Sequence, residues 1–356
     1  MWQVPRLQSL FGIKHPIIQA PMAGSSSPEL VAAVSNAGGL GGFGAAPLSP
    51  ADLRSTVKKI RALTDKPFNI NLFASATELV DEHTDVPDQF VQLLKAYQQE
   101  VGLTDELPRP KKIFGPAEDQ LAVLIDEKVP VISFHFGIEL EQVNAIHAAG
   151  LKVICSATNI EEAKHLEALG VDAIIAQGSE AGGHRGTFIG DPAQSLIGTL
   201  ALVPQVVEAV SIPVIAAGGI MDGRGIVACA ALGASAVQMG TAFLGCDELN
   251  LAPAWRSHLE NAAPSDTTVT TAVSGKPARG IRNRYIKEVE KLTEPLLPYP
   301  LQYSMSANLR KQAGKTDNSE FMVMWSGQAV GLFRRQSASE LMSKLLEEVA
   351  AVKASL

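Results

Sequence analysis

The chain has 356 residues, 46% of them hydrophobic and 19% charged, long enough for one large α/β domain with an insertion or for two ordinary domains. Lys and Arg number 30 against 37 Asp and Glu, a net charge of −7 with no basic tract, which argues against the phosphate attraction that nucleic-acid binders use. With 30 Gly and only 5% aromatic residues the composition is one of packed aliphatics and tight turns, and it excludes disorder, coiled coil and collagen.

Taken in chain order, the first residues, Met1 to Pro5, lack the cationic and apolar regions of a secretory leader. No apolar run approaches the roughly 20 residues that span a bilayer, so a cytoplasmic, soluble protein is expected. Short apolar runs bounded by glycine then recur to about residue 244. The candidate strands are Pro16–Pro21, Gly39–Ala46, Phe68–Ala74, Val129–Gly137, Leu151–Thr158, Val171–Gly178, Pro213–Ile220 and Ser235–Phe243. They read as near-continuous hydrophobic stretches, the pattern of strands buried on both faces. Helical patterns lie between them. Pro28–Ala37 follows a serine run able to cap it, and Ile160–Leu169 carries Glu161 and Glu162 in its first turn, where the helix dipole favours anions. Gly150, Gly170 and Gly233 each end a helix and lead straight into the next strand, the αβ loop of a β/α repeat.

Eight such strands predict an α/β fold of the (β/α)8 barrel type, with residues 1–244 and 319–356 forming the barrel. A doubly wound sheet is the alternative; it would more usually carry fewer strands and a GxGxxG fingerprint, which the glycine-rich Gly38–Gly44 is not. Two stretches break the repeat. Residues 75–116 form an over-long insertion with an amphipathic helix bearing Phe90, Leu94, Tyr97 and Val101 on one face. Residues 245–318, with a helical run around Pro277–Lys291, are expected to form a helical cap that shapes the substrate site. A last helix over Ala338–Ala354 presents Leu341, Leu345, Val349 and Val352 on one face and would close the outer ring. The cysteines Cys155, Cys229 and Cys246 sit in apolar stretches without CxxC spacing and read as buried inert thiols.

Barrel enzymes work at the C-terminal ends of their strands. Gly218-Gly219 follows the seventh candidate strand, and Gln238-Met239-Gly240-Thr241 ends the eighth. Bare backbone N–H groups in those two neighbouring turns suit a phosphate, with the Thr241 hydroxyl as a further donor; close strand–helix packing is the alternative use of such glycines. Asn71 and Gln177 are amides at strand ends, suited to a heteroaromatic ring or to a local loop hydrogen bond. His184 lies two positions beyond Gly182 in a loop of small residues and is the candidate for acid–base work; His135, at another strand end, could share that mouth. No metal-ligand spacing, GxSxG or Cys/His arrangement stands out.

Taken together, Gln19–Gly24 (QAPMAG), Asn71–Phe73 (NLF), Gln177–Gly186 (QGSEAGGHRG), Ala216–Ile220 (AAGGI), Gln238–Thr241 (QMGT) and Trp325–Gln328 (WSGQ) resemble the nitronate monooxygenases, formerly 2-nitropropane dioxygenases. That resemblance implies a barrel binding one non-covalent FMN at the strand mouths. It places Ala20 and Met22 against the isoalloxazine and Asn71 and Gln177 on the ring or ribityl chain. Gly182, Gly218, Gly219 and Gln238 through Thr241 (with Met239 and Gly240) would take the ribityl phosphate, and His184 would stand beside flavin and substrate. It implies oxidation of an alkyl nitronate by O2 to a carbonyl compound and nitrite, in a monomer or homodimer. Tyr299, Tyr303, Arg310 and Lys311, where the cap returns, could hold a substrate carboxylate or form a solvated rim. An FMN-dependent NADH:quinone or enoyl-acyl-carrier-protein reductase on the same scaffold is the alternative activity.

Overall fold

The computed structural model describes residues 5–74 and 81–356. Its strands are β1 (Ile17–Gln19), β2 (Gly41–Gly44), β3 (Phe68–Phe73), β4 (Val131–His135), β5 (Lys152–Ala157), β6 (Ala173–Gln177), β7 (Gly183–His184), β8 (Val214–Ala217), β9 (Ala236–Met239), β10 (Thr267–Thr270) and β11 (Ala278–Ile281). Eight of them pair in parallel in the order β1-β9-β8-β6-β5-β4-β3-β2. A parallel bridge from Ile18 to Leu40 brings β1 against β2 and turns the sheet into a nearly closed cylinder. Such neighbour-to-neighbour order is that of a (β/α)8 barrel, and the eight strands are the eight that the sequence predicts.

Alternation along the strands divides the core. Ile18, Leu40, Val131, Ile154, Ile175 and Ile215 fill one cluster, joined by Leu7 and Phe11 of the first helix, Pro5–Phe11. The intervening residues, among them Ile17, Ile70, Ile132, Val153, Ile174 and Val237, pack against the helices in the other. Most strands are therefore apolar on both faces, which produces the near-continuous hydrophobic runs of the sequence; β3 is an exception, with the buried amides Asn69 and Asn71 on its other face. The glycines of β2 serve close approach: a Cβ at Gly41 would fall 2.1 Å from the Val31 carbonyl oxygen, and one at Gly44 would fall 2.4 Å from the Ala23 amide. Helix Pro28–Asn36 is capped by Ser27, and helix Ile160–Leu169 by Asn159. Gly150, Gly170 and Gly233 take φ of 75°, 89° and 89°, as a glycine past a helix end can. The final helix, Ala338–Ser355, packs Leu341, Leu345 and Val349 inward against helices Gly223–Ala231 and Pro28–Asn36, completing the outer ring.

The expected insertion, apart from residues 75–80, which lie outside the described residues, carries helix Asp88–Glu100 with Phe90, Leu94 and Tyr97 buried. The Tyr97 hydroxyl donates to Glu288 at 2.7 Å, and the Lys111 amide donates to the Ser304 hydroxyl at 3.0 Å. Insertion and cap are thus joined over the barrel mouth.

The expected helical cap also carries two strands, β10 and β11. The run around Pro277–Lys291 is strand β11 followed by helix Arg284–Val289, which Asn283 caps. β11 pairs antiparallel with β10 on one side and with β7 on the other, Ala278 facing His184. A Cβ at Gly280 would lie 2.8 Å from the Trp325 ring, so the strand passes flat beneath that indole. Pairing partners distant in sequence override the local helical pattern here. The resulting three-stranded sheet stitches the loop after β6 to the cap.

Candidate active site

A cleft of about 520 Å³ opens at the C-terminal ends of the barrel strands, beneath the insertion and cap. Ala20, Met22, Asn71, His135, Gln177, Gly182, His184, Gly218, Gly219, Gln238, Met239, Gly240, Thr241, Tyr299 and Tyr303 all line it. Of the residues picked from the sequence only Lys311 is elsewhere: it is exposed on helix Ala307–Thr316, while Arg310, its neighbour, lines the cleft. A single residue step decides this, because the rotation of about 100° per residue turns position 311 away from the face that carries Ala307 and Arg310.

The two glycine turns meet on one side. Gly218 and Gly219 adopt φ of 114° and 70°, a left-handed conformation that side chains rarely take. At Gly240 a Cβ would meet only the Ala20 methyl, at 3.6 Å, so the backbone there borders open space. The Thr241 hydroxyl oxygen accepts from the Gly327 amide at 2.8 Å, which keeps its own proton available as a donor. Gly182 has a different use: a Cβ would sit 2.7 Å from the Gly327 nitrogen, so this glycine lets the Trp325–Gln328 segment close over the turn. Three buried polar atoms of the lining have no partner among the described residues, the Gln238 Oε1 acceptor, the Trp255 Nε1 donor and the Tyr299 hydroxyl. Buried polar atoms are almost always satisfied, so such orphans fit a site made for a polar ligand.

The strand-end amides are bound into the protein. Asn71 donates through Nδ2 to the Ser133 carbonyl and hydroxyl at 3.2 and 3.0 Å. Gln177 donates to the His184 carbonyl at 2.9 Å and accepts from the Gly186 amide at 2.8 Å, the local loop bond that the sequence left open. His135 serves the same loop. Its Nε2 lies 3.1 Å from the His184 carbonyl, which can only accept, so Nε2 bears the proton and Nδ1 accepts from the Ser156 hydroxyl at 2.6 Å. Burial lowers its pKa to about 4, and with both nitrogens engaged it holds the loop rather than a substrate.

Two charged residues anchor that loop from beneath, and neither is conspicuous in the sequence. Arg185 is fully buried and donates to the carbonyls of Gly178, Gln177 and Ser195 at 2.6, 2.9 and 2.9 Å. Burial draws its pKa down to about 10. Glu162, also fully buried, accepts from the amides of Thr158, Phe188 and Ile189 and from the Thr158 hydroxyl. Its place in a first helical turn is visible in sequence; its partners 26 and 27 residues on are not.

His184 itself sits among aromatic rings, with centroids of Tyr299, Trp325 and Phe136 at 5.2, 5.4 and 6.0 Å. Its Nε2 lies 2.9 Å from the Ser274 hydroxyl. Burial, with His135 and Lys276 nearby, lowers its pKa to about 3, so the resting imidazole is neutral. The Tyr299 hydroxyl is buried without a partner, and burial pushes its pKa well up. In the same cleft the Arg310 guanidinium lies 3.5 Å over the Tyr303 ring and donates to the Tyr303 carbonyl at 2.6 Å. The three cysteines are buried away from this chemistry. Among the described residues no helix is long and apolar enough to cross a membrane.

Known proteins resemble this chain in sequence and fold. A family model described as nitronate monooxygenase matches residues 4–348. A probable nitronate monooxygenase of Staphylococcus aureus (strain Newman) is 41% identical over 355 residues, covering 98% of each chain. Another, from Staphylococcus saprophyticus, is 41% identical over 351 residues, covering 96% of this chain and 97% of the relative. Among solved structures, nitroalkane oxidase from Streptomyces ansochromogenes superposes with a TM-score of 0.88 at 37% identity, covering 98% of this chain and 99% of that one. FabK from Thermotoga maritima gives 0.75 at 31% identity, covering 100% and 98%. Family model, relatives and fold agree: the chain belongs to the nitronate monooxygenase family of flavin-dependent oxidoreductases.

Proposed function

We propose that this enzyme oxidises alkyl nitronates with O2 to a carbonyl compound and nitrite, using FMN as its flavin. The observation that carries the reading is the placing of His184, neutral and ringed by aromatics, in the same cleft as the paired glycine turns. Gly219, Gly240 and Thr241 suit a single terminal phosphate. The Trp325–Gln328 segment caps that turn, through the Gly327 amide on Thr241 and the Gln328 amide on the Glu180 carbonyl at 2.8 Å. A mononucleotide ends there, whereas a dinucleotide would have to continue past it. The orphaned Gln238 Oε1 and Trp255 Nε1 offer an acceptor and a donor to such a polar group.

When bound, the flavin supplies an electron acceptor that O2 regenerates. The chain supplies orientation and charge control. A histidine whose pKa has fallen to about 3 is a feeble base, which suits a substrate that arrives already ionised. An anion seated beside it favours the charged imidazole, so a proton taken up on the ring from solvent steadies the nitronate oxygens. Phe136, Tyr299 and Trp325 exclude water around that pair and strengthen it. Arg310 is available to a carboxylate at the far end of a substrate such as propionate-3-nitronate. The test is a visible spectrum of the purified protein, release and identification of the flavin, and nitrite assays with propionate-3-nitronate and with its parent nitroalkane. Nitrite from the nitronate is expected, at a higher rate than from the neutral form; a protein that holds FMN yet makes no nitrite overturns the reading.

The likeness to FabK and the shared glycine pattern favour one second reading, an FMN-dependent NADH:quinone or enoyl-acyl-carrier-protein reductase. Rapid bleaching of the bound flavin by NADH without oxygen would favour it, and no bleaching would dismiss it.

A further inference from the structure

We propose that Ser274 is a positioning residue that sets the tautomer of His184, keeping the ring proton on Nε2 and leaving Nδ1 as the nitrogen that takes up a proton when the anionic substrate binds. The inference rests on the reading of His184 as the group beside the substrate.

It follows from counting donors and acceptors. The Ser274 hydroxyl has one proton and two lone pairs. Three partners surround it: the Lys276 carbonyl at 3.1 Å, the Lys276 amide at 3.4 Å and His184 Nε2 at 2.9 Å. A carbonyl only accepts, so the hydroxyl proton goes to Lys276, and an amide only donates, so it takes one lone pair. The remaining lone pair faces His184 Nε2 and requires an N–H there. A neutral imidazole has one such proton, which leaves Nδ1 unprotonated. Ser274 is fully buried, in the turn joining β10 to β11, and β11 pairs with the strand that carries His184. The same short sheet therefore fixes both partners.

His135, 4.5 Å from Phe136 between ring centroids, makes the contrast. Both its nitrogens are spent within the chain, whereas His184 keeps one. The other titratable or charged groups facing His184 are Lys276, whose ammonium lies 4.2 Å over the Phe136 ring, and Tyr299, whose ring lies 5.2 Å away. Neither supplies a hydrogen bond to the imidazole that would select the opposite tautomer.

The experiment is nitrogen NMR of the full-length, flavin-containing protein labelled with 15N-histidine and recorded without substrate, the His184 signals being assigned by their loss in His184→Asn. A protonated Nε2 and an unprotonated Nδ1 are expected in the natural protein. In Ser274→Ala both tautomers should appear, with kcat for nitronate lowered by about 10-fold or more, the scale for removing a group that orients a functional histidine. Ser274→Thr, which keeps the hydroxyl, should restore the single tautomer and most of the rate. A proton on Nδ1 in the natural protein overturns the proposal, as does an unchanged tautomer in Ser274→Ala. Because the spectrum contains no nitronate, a protein with the expected tautomer but no nitrite production refutes the proposed reaction and leaves the assignment of Ser274 standing.

Discussion

A few side chains decide what the cleft can do. His184→Asn removes the imidazole while keeping a polar side chain of similar reach. Its expected outcome is full flavin content with nitronate turnover lowered by about 10²-fold or more, read by spectrum and nitrite assay. Unchanged turnover would remove His184 from the reaction. Gly219→Val acts on the other half of the site. At φ of 70° a branched side chain is strained, and its Cβ would stand 3.3 Å from the Glu180 Cβ. We expect most of the bound flavin to be lost, measured as flavin absorbance per protein, and full occupancy would contradict a phosphate cradle there. The glycines were legible in sequence because only glycine allows such a turn. Ser274 was not, because its meaning lies in a partner 90 residues away.

At the scale of elements, strands and loops differed in what they disclosed. The barrel strands advertise themselves because both of their faces are buried, as Ile174 and Ile175 of β6 illustrate by packing into different clusters. β7 is two residues long and β11 four; β7 exists through pairing with β11, and β11 through pairing with β7 and β10, so no local pattern announces them. The loop between β6 and β8 is similar: its composition suggests mobility, yet Arg185 and Glu162 pin it from below. Glu162→Ala would strand buried amides of Thr158, Phe188 and Ile189 and remove a charge near Arg185. A loss of about 3 kcal/mol is expected, measured by urea unfolding, since buried donors left without acceptors are costly. A loss below about 1 kcal/mol would mean that the carboxylate is replaceable by water.

For the whole molecule, the neutral histidines predict how stability follows pH. His135 and His184 have pKa values lowered by burial to about 4 and about 3, against 6.5 for the free side chain. The unfolded chain binds protons first as pH falls, so their contribution is complete above about pH 6.5 and declines as pH drops toward the folded values. Between about pH 7 and pH 5 each costs about 2 kcal/mol. Urea unfolding across that range should show a falling midpoint, with a shallower fall in His184→Asn. An equal fall would shift the effect to other groups.

The ring closure also has a timetable. Gly327 bonds Thr241 across 86 residues, and the Gln328 amide reaches the Glu180 carbonyl, so the roof over the glycine turns comes from near the end of the chain. Behind it, helix Ala338–Ser355 wedges against the helix that follows the first barrel strand and the helix that joins the seventh strand to the eighth. A ribosome making this protein has therefore already released all eight strands before the glycine turns acquire their cover. Loading is an event of the finished polypeptide: nascent chains stalled short of Trp325 should fail to retain flavin through gel filtration, whereas released ones keep it.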